Sequence, residues 1–128
     1  MNQTMIKTIL INNNIILKRG KFMLIKLESN QNLNELLKEN HSKPILIDFY
    51  ADWCPPCRML IPVLDSIEKK HGDEFTIIKI NVDHFPELST QYQVKSIPAL
   101  FYLKNGDIKA TSLGFIDENS LVNKLRSI

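Results

Sequence analysis

The chain has 128 residues, 44% of them hydrophobic and 23% charged; that is the size and composition of one domain with its own apolar core, and it excludes global disorder. Two cysteines are too few for a disulfide-stapled secreted scaffold. The net charge of +2 is uneven: four of the 16 Lys and Arg residues (Lys7, Lys18, Arg19, Lys21) fall in residues 1–22 with no acid, so 12 face 14 acidic residues elsewhere, and the mildly acidic body has no basic patch for nucleic acid.

In residues 1–22 the apolar runs Ile9 to Ile11 and Ile15 to Leu17 are split by Asn12, Asn13 and Asn14. Neither run is long enough to cross a membrane, and no small-residue cleavage site follows. The segment reads as an N-terminal extension, disordered or upstream of a start at Met23, and the domain proper as residues 23–128. Phe22 to Leu27 reads as a short strand. Asn32 with Glu35 three residues on resembles a capping box, opening a helix with Leu33, Leu36 and Leu37 on one face. Pro44 to Ala51 is nearly all apolar, the pattern of a central strand buried on both faces. It runs directly into Trp53-Cys54.

A helix is expected after Cys54, because Pro55 and Pro56 suit first-turn positions whose N–H groups have no intrahelical acceptor. Leu60, Val63, Leu64 and Ile67 form its apolar stripe, Pro62 is expected to kink it, and His71-Gly72-Asp73 to end it. Phe75 to Val82 reads as a second buried strand, and Asp83 to Gln91 as a short helix with Pro86 near its start. Pro98 to Leu103, Asn105-Gly106 and Ile108 to Phe115 form an antiparallel hairpin, since Asn-Gly is the strongest short hairpin signal. Asp117 caps a last helix with Leu121, Val122 and Leu125 inward. The order β-α-β-α-β-α-β-β-α implies an α/β three-layer sandwich: a mixed central sheet with helices on both faces.

Cys54 and Cys57 are the only cysteines, and two thiols three positions apart can cycle between dithiol and disulfide. A closed zinc site needs four ligands, and His41, His71 and His84 are scattered singly. A purely structural disulfide closing so short a loop restrains little chain entropy. Redox exchange is the stronger reading. Cys54 stands at a helix N-cap, where free N–H groups and the helix dipole favour a thiolate. It also lies at the exposed end of the motif, which makes it the nucleophile, with Cys57 one turn inside as the resolving thiol. Asp48, in an otherwise apolar strand, is either a base with its proton affinity raised by burial or a carboxylate paired with Lys79.

This order, with W-C-x-x-C between a buried strand and a helix, resembles the thioredoxin family from about Met23 to the C-terminus. Phe49-Tyr50-Ala51-Asp52-Trp53-Cys54 is similar to the family's F-W-A-E-W-C segment, with Tyr50 for tryptophan. Cys57-Arg58-Met59, Pro62, Leu64-Asp65, Lys79, Asp83, Ile97-Pro98, Lys104-Asn105-Gly106 and Gly114 follow its pattern. Pro55 departs from it, where glycine is usual. The resemblance implies that Asp48 is the base with Lys79 as its electrostatic neighbour. It also implies a cis Ile97–Pro98 bond facing the cysteines. Trp53, Pro55, Ile97, Pro98, Gly114 and Phe115 would then form an apolar groove for substrate.

The expected function is thiol–disulfide exchange that reduces protein disulfides, by a cytoplasmic monomer without cofactor, metal, membrane or nucleic acid. Electrons would come from a separate flavin-dependent reductase, since no G-x-G-x-x-G fingerprint is present. The rivals are a more oxidising or isomerising exchanger, in which Pro55 stabilises the dithiol, and a non-catalytic binding subunit of the same fold.

Overall fold

The computed structural model describes residues 24–128 and, upstream of them, only the backbone of two short strands, Leu10–Ile11 paired antiparallel with Asn13–Ile15. The expectation of a disordered or untranslated extension over residues 1–22 otherwise lies outside the described residues.

The strands are β1 (Leu24–Lys26), β2 (Ile45–Tyr50), β3 (Thr76–Asn81), β4 (Ala99–Lys104) and β5 (Asp107–Leu113). The helices are α1 (Leu33–Glu39), α2 (Pro55–His71), α3 (Pro86–Gln91) and α4 (Glu118–Ser127). One sheet has the order β1-β3-β2-β4-β5. β3 runs parallel to β1 and β2, whereas β4 runs antiparallel to β2 and β5. The expected element order and the mixed sheet are both present.

β2 sits at the centre because its side chains suit two apolar faces. Leu46 packs on one face with Leu60, Leu64 and Ile67 of α2 and Leu121 and Leu125 of α4. Ile45, Ile47 and Phe49 pack on the other, toward α1 and α3. There Phe49, Tyr92 and Phe101 stack at centroid distances of 5.2–5.6 Å, in tilted and edge-on geometry that suits ring quadrupoles.

Local chemistry sets the boundaries. Asn32 Oδ1 accepts the Glu35 N–H at 3.1 Å and opens α1. Asp117 opens α4 in the same way, accepting from the Ser120 N–H at 2.9 Å. Asn105 and Gly106 both take positive φ, the pairing a two-residue hairpin turn requires. α2 continues through Pro62 to His71.

The short helix begins later than its polar lead-in suggested, at Pro86 instead of Asp83. The Asn81 carbonyl accepts the N–H groups of both His84 and Phe85, and Asn81 Oδ1 accepts that of Asp83. These bonds hold 83–85 in a turn, and Pro86 then starts the helix at a position where it forfeits no bond.

Leu64 is fully enclosed between α2, the sheet and α4. Leu64→Ala is expected to cost about 3 kcal/mol in urea unfolding, because the rigid layers on either side cannot close the cavity. Ile108→Ala, on the exposed edge strand, should stay within about 0.5 kcal/mol of the parent.

Candidate active site

β2 ends at Tyr50, and the next residues turn the chain from the sheet into α2. Cys54 is the N-cap: its Sγ accepts the Cys57 N–H at 3.3 Å, and its carbonyl accepts the Arg58 N–H at 3.0 Å. Pro55 and Pro56 occupy the first two helical positions and have no N–H to offer. The two cysteines form a disulfide with Cα atoms 5.2 Å apart.

Exposure does not separate the two sulfurs. Cys54 is 3% and Cys57 4% exposed, packed with Ala51 and against Tyr50, Val82 and Ile97. The expectation that Cys54 is the more open of the two is therefore corrected for the oxidised state: the apolar rim of Val82 and Ile97 covers both. Position still distinguishes them, because only Cys54 sits at the helix N-cap with the dipole's positive end behind it.

The remaining site residues arrive from three directions. The Ile97–Pro98 bond is cis, and the Ile97 carbonyl lies 3.7 Å from Cys54 Sγ. Gly114, at φ +85°, donates its N–H to the Pro98 carbonyl at 2.8 Å, which draws the end of β5 to the same edge. Trp53, next to Cys54, is 65% exposed and Phe115, next to Gly114, is 44% exposed, so both present large apolar side chains to solvent. A shallow cleft beside Trp53 is lined by Val82, Ser89, Val94, Lys95, Ser96 and Ile97.

Asp48 lies on the face of β2 that α2 covers, the same face as Leu46. Cys57 begins the inward stripe of α2 that continues through Leu60 and Leu64. Asp48 is 1% exposed, and its Oδ1 has no hydrogen-bond partner among the described residues. Burial raises its pKa to about 7, opposed by attraction to the Lys79 ammonium. The register places Lys79 directly opposite Asp48 on β3. Yet the pair is not among the ion pairs within 4 Å of the described residues, which are Lys70–Glu118, His71–Glu74 and Arg126–Glu74. Lys79 is itself 7% exposed, and desolvation lowers its pKa.

Sequence reasoning gave no role in the site to three residues, although it matched two of them, Tyr50 and Asp83, to the family pattern. Asp83 Oδ2 accepts the Trp53 indole N–H at 2.9 Å, anchoring an otherwise exposed ring. Asn81 lies opposite Tyr50 in the register. Tyr50 in turn presents its ring to Lys79, with Nζ 4.6 Å from the centroid. Their signal was the parallel register: once Asp48 faces Lys79, Asn81 at the end of β3 and Asp83 just beyond it must lie beside the end of β2.

Comparison with known proteins agrees with this geometry. The family model described as thioredoxin matches residues 24–127. A thioredoxin of Rickettsia prowazekii is 40% identical over 90 residues, covering 70% of this chain and 84% of that protein. Thioredoxin 1 of Synechococcus elongatus is 40% identical over 84 residues, covering 66% and 78%. Among solved structures, reduced Schistosoma mansoni thioredoxin pre-protein superposes with TM-score 0.74 at 25% identity, over 82% of this chain and 97% of that one. A mutant thioredoxin of Halobacterium salinarum gives 0.75 at 28%, over 86% and 94%.

The buried carboxyl carries a definite pH signature. Between about pH 4 and pH 7 the folded state keeps a proton that the unfolded chain has released. Stability therefore falls as pH rises through that window, and the penalty is complete above about 7; it is at most on the order of 4 kcal/mol. Asp48→Asn removes the penalty. Its gain in urea unfolding of the oxidised protein should be roughly 1–3 kcal/mol at pH 8 and vanish near pH 4. An equal effect at both pH values would show that the carboxyl is not held protonated.

Proposed function

This chain belongs to the thioredoxin family, a thiol–disulfide oxidoreductase that reduces protein disulfides through Cys54 and Cys57, and from that premise we propose how its residues divide the reaction. The Cys54 thiolate attacks one sulfur of a substrate disulfide. An S–S bond forms between Cys54 and the substrate, the substrate's own S–S bond breaks, and the first substrate thiolate leaves. Asp48 takes the proton of Cys57 by way of a water molecule. The Cys57 thiolate then attacks Cys54 Sγ, closing the Cys54–Cys57 disulfide and releasing the second substrate thiolate. The substrate gains two electrons and the protein loses two, ending in the disulfide form described above.

The observation that carries the base assignment is a fully buried carboxyl without a hydrogen-bond partner on one oxygen among the described residues, on the sheet face that α2 covers. A base with its pKa near 7 can both accept a proton and give it up at neutral pH. Trp53, Pro55, Ile97, Pro98, Gly114 and Phe115 form the docking surface, with the cleft at Val94 and Ser96 extending it. A substrate strand laid there would meet the Ile97 backbone beside the reactive sulfur.

Electrons return from a separate flavin-dependent reductase, as the chain carries no dinucleotide fingerprint. The protein acts as a monomer. No helix among the described residues is long and apolar enough to cross a membrane, and a disulfide reductant suits the cytoplasm, where thiols are kept reduced. The working domain is residues 23–128, and a chain beginning at Met23 should reduce insulin at the full rate.

Insulin reduction tests the division of labour. Cys57→Ser should abolish turnover and accumulate a mixed disulfide through Cys54, visible by mass spectrometry. A mixed disulfide formed through Cys57 in the converse Cys54→Ser variant at the same rate would reverse the roles. Asp48→Ala should slow turnover by roughly 10²-fold at pH 7. The deficit should shrink toward pH 9, where the Cys57 thiol ionises without help. A wild-type rate at pH 7 would remove Asp48 from the mechanism.

A further inference from the structure

The arrangement of Lys79 is unexpected on electrostatic grounds alone. It faces Asp48 across paired strands, in a site nearly closed to water, where opposite charges attract strongly. It does not make an ion pair with Asp48 within 4 Å. Its ammonium lies over the face of Tyr50 instead, 4.6 Å from the ring centroid. A cation over an aromatic face is attracted by the ring's quadrupole, and the attraction grows when the site is desolvated.

Tyr50 and Asn81 are register partners on the paired strands. Asn81 is itself buried and fixed by the Asp83 N–H donating to its Oδ1 at 2.9 Å. Tyr50 therefore offers Lys79 a platform set by the strand register.

We propose that Tyr50 is a positioning residue of the exchange reaction: its ring face holds the Lys79 ammonium out of ion-pair contact with Asp48, so that the carboxyl stays available to take the Cys57 proton. The inference rests on the assignment of Asp48 as the base. A carboxylate locked to an ammonium is a weak base, because the pairing favours its charged form. The same ammonium held at a distance moderates the carboxyl without capturing it.

The other charged groups around this site act on Lys79 without an ion pair within 4 Å among the described residues. Lys26 of β1 repels the Lys79 ammonium, while Asp65 of α2 and Asp52 of the turn attract it from outside. From β4, the Tyr102 hydroxyl is already engaged with Ser112 Oγ at 2.9 Å. Tyr50 is the aromatic face that Lys79 meets among the described residues.

The test is a titration of the Asp48 carboxyl by carbon-13 NMR in the full-length oxidised protein, with the pH profile of insulin reduction measured alongside. Tyr50→Leu should let Lys79 settle onto Asp48 and lower the carboxyl midpoint by about one pH unit, a tenfold change in acidity, with the turnover profile moving to lower pH with it. Tyr50→Phe and Tyr50→Trp keep a ring face and should keep the parent midpoint. In a Lys79→Met background, Tyr50→Leu should produce no further shift. Tyr50→Met replaces Tyr50→Leu if that variant does not fold. An unchanged midpoint in the leucine or methionine variant overturns the proposal. So does an equal shift in the Lys79→Met background, which would trace the effect to water entering the site. A midpoint that moves while the turnover profile stays fixed refutes instead the role of Asp48 as base, and Tyr50's part in the reaction falls with it.

Discussion

An ionisable carboxyl at the middle of the central strand is the constraint around which this structure is arranged. Asp48 is all but sealed from water and lacks a partner for one oxygen among the described residues, a position that an apolar side chain would occupy at lower free energy. Ile45, Leu46, Ile47 and Phe49 show what the strand otherwise demands. The cost is confined to one face and one end of the sheet. Leu46, two residues back on the same face, is wholly apolar in its surroundings, while Tyr50, two residues on, begins the polar cluster of Lys79 and Asn81. A fold that tolerates this cost near pH 7 keeps a proton acceptor poised at the pH where thiols must be ionised.

The second consequence is that the strand register, more than any single contact, builds the site. Parallel pairing of β2 with β3 sets Asp48 against Lys79 and Tyr50 against Asn81. The Val82 N–H then donates to the Tyr50 carbonyl at 2.9 Å, and Asp83 meets the Trp53 indole. Antiparallel pairing of β2 with β4 brings Ala99 level with Phe49, so that the Ile97 carbonyl reaches the cysteine sulfur. A shift of one residue would reverse the faces and turn Asp48 away from α2. The apolar contacts of Leu46 and Ile47 on opposite faces resist that shift, and so core packing and site geometry are enforced by the same residues.

Much of this was legible in the chain because its signals are local. A two-residue Asn105-Gly106 turn, an Asp117 cap and the period of Leu60, Leu64 and Ile67 each act within a few residues. The cysteine pair and its helix start are local too, and Trp53 adjoins them. What could not be read depends on contacts between separate elements. Tyr50 looked like a replacement for tryptophan, and nothing near it in sequence pointed to Lys79. Asp83 looked like the start of a helix, whereas its N–H donates to Asn81 Oδ1 in a turn and its carboxylate accepts the Trp53 indole N–H. The depth of Cys54 was misjudged for the same reason, because its cover comes from Val82 and Ile97, distant residues on other elements.

The departure at Pro55 gains a physical meaning from the cap geometry. A helix start ordinarily offers several unpaired N–H groups to an anion. Here Pro55 and Pro56 offer none, and the Cys57 N–H is the first in the helix that can donate. It does so to Cys54 Sγ. The next amide, that of Arg58, is already committed to the Cys54 carbonyl. A Cys54 thiolate is thus supported by the dipole of α2 and by one amide, which belongs to the resolving cysteine. Attack and resolution are tied through a single peptide unit: the amide that supports the Cys54 sulfur belongs to the residue whose thiol closes the disulfide, and that bond is present with the disulfide formed. The two prolines make that coupling tighter, since their fixed φ angles leave the first turn little freedom to adjust. Pro55, which stands where the family pattern has glycine, therefore acts on the donor set of the attacking sulfur, while the fold around it is left unchanged.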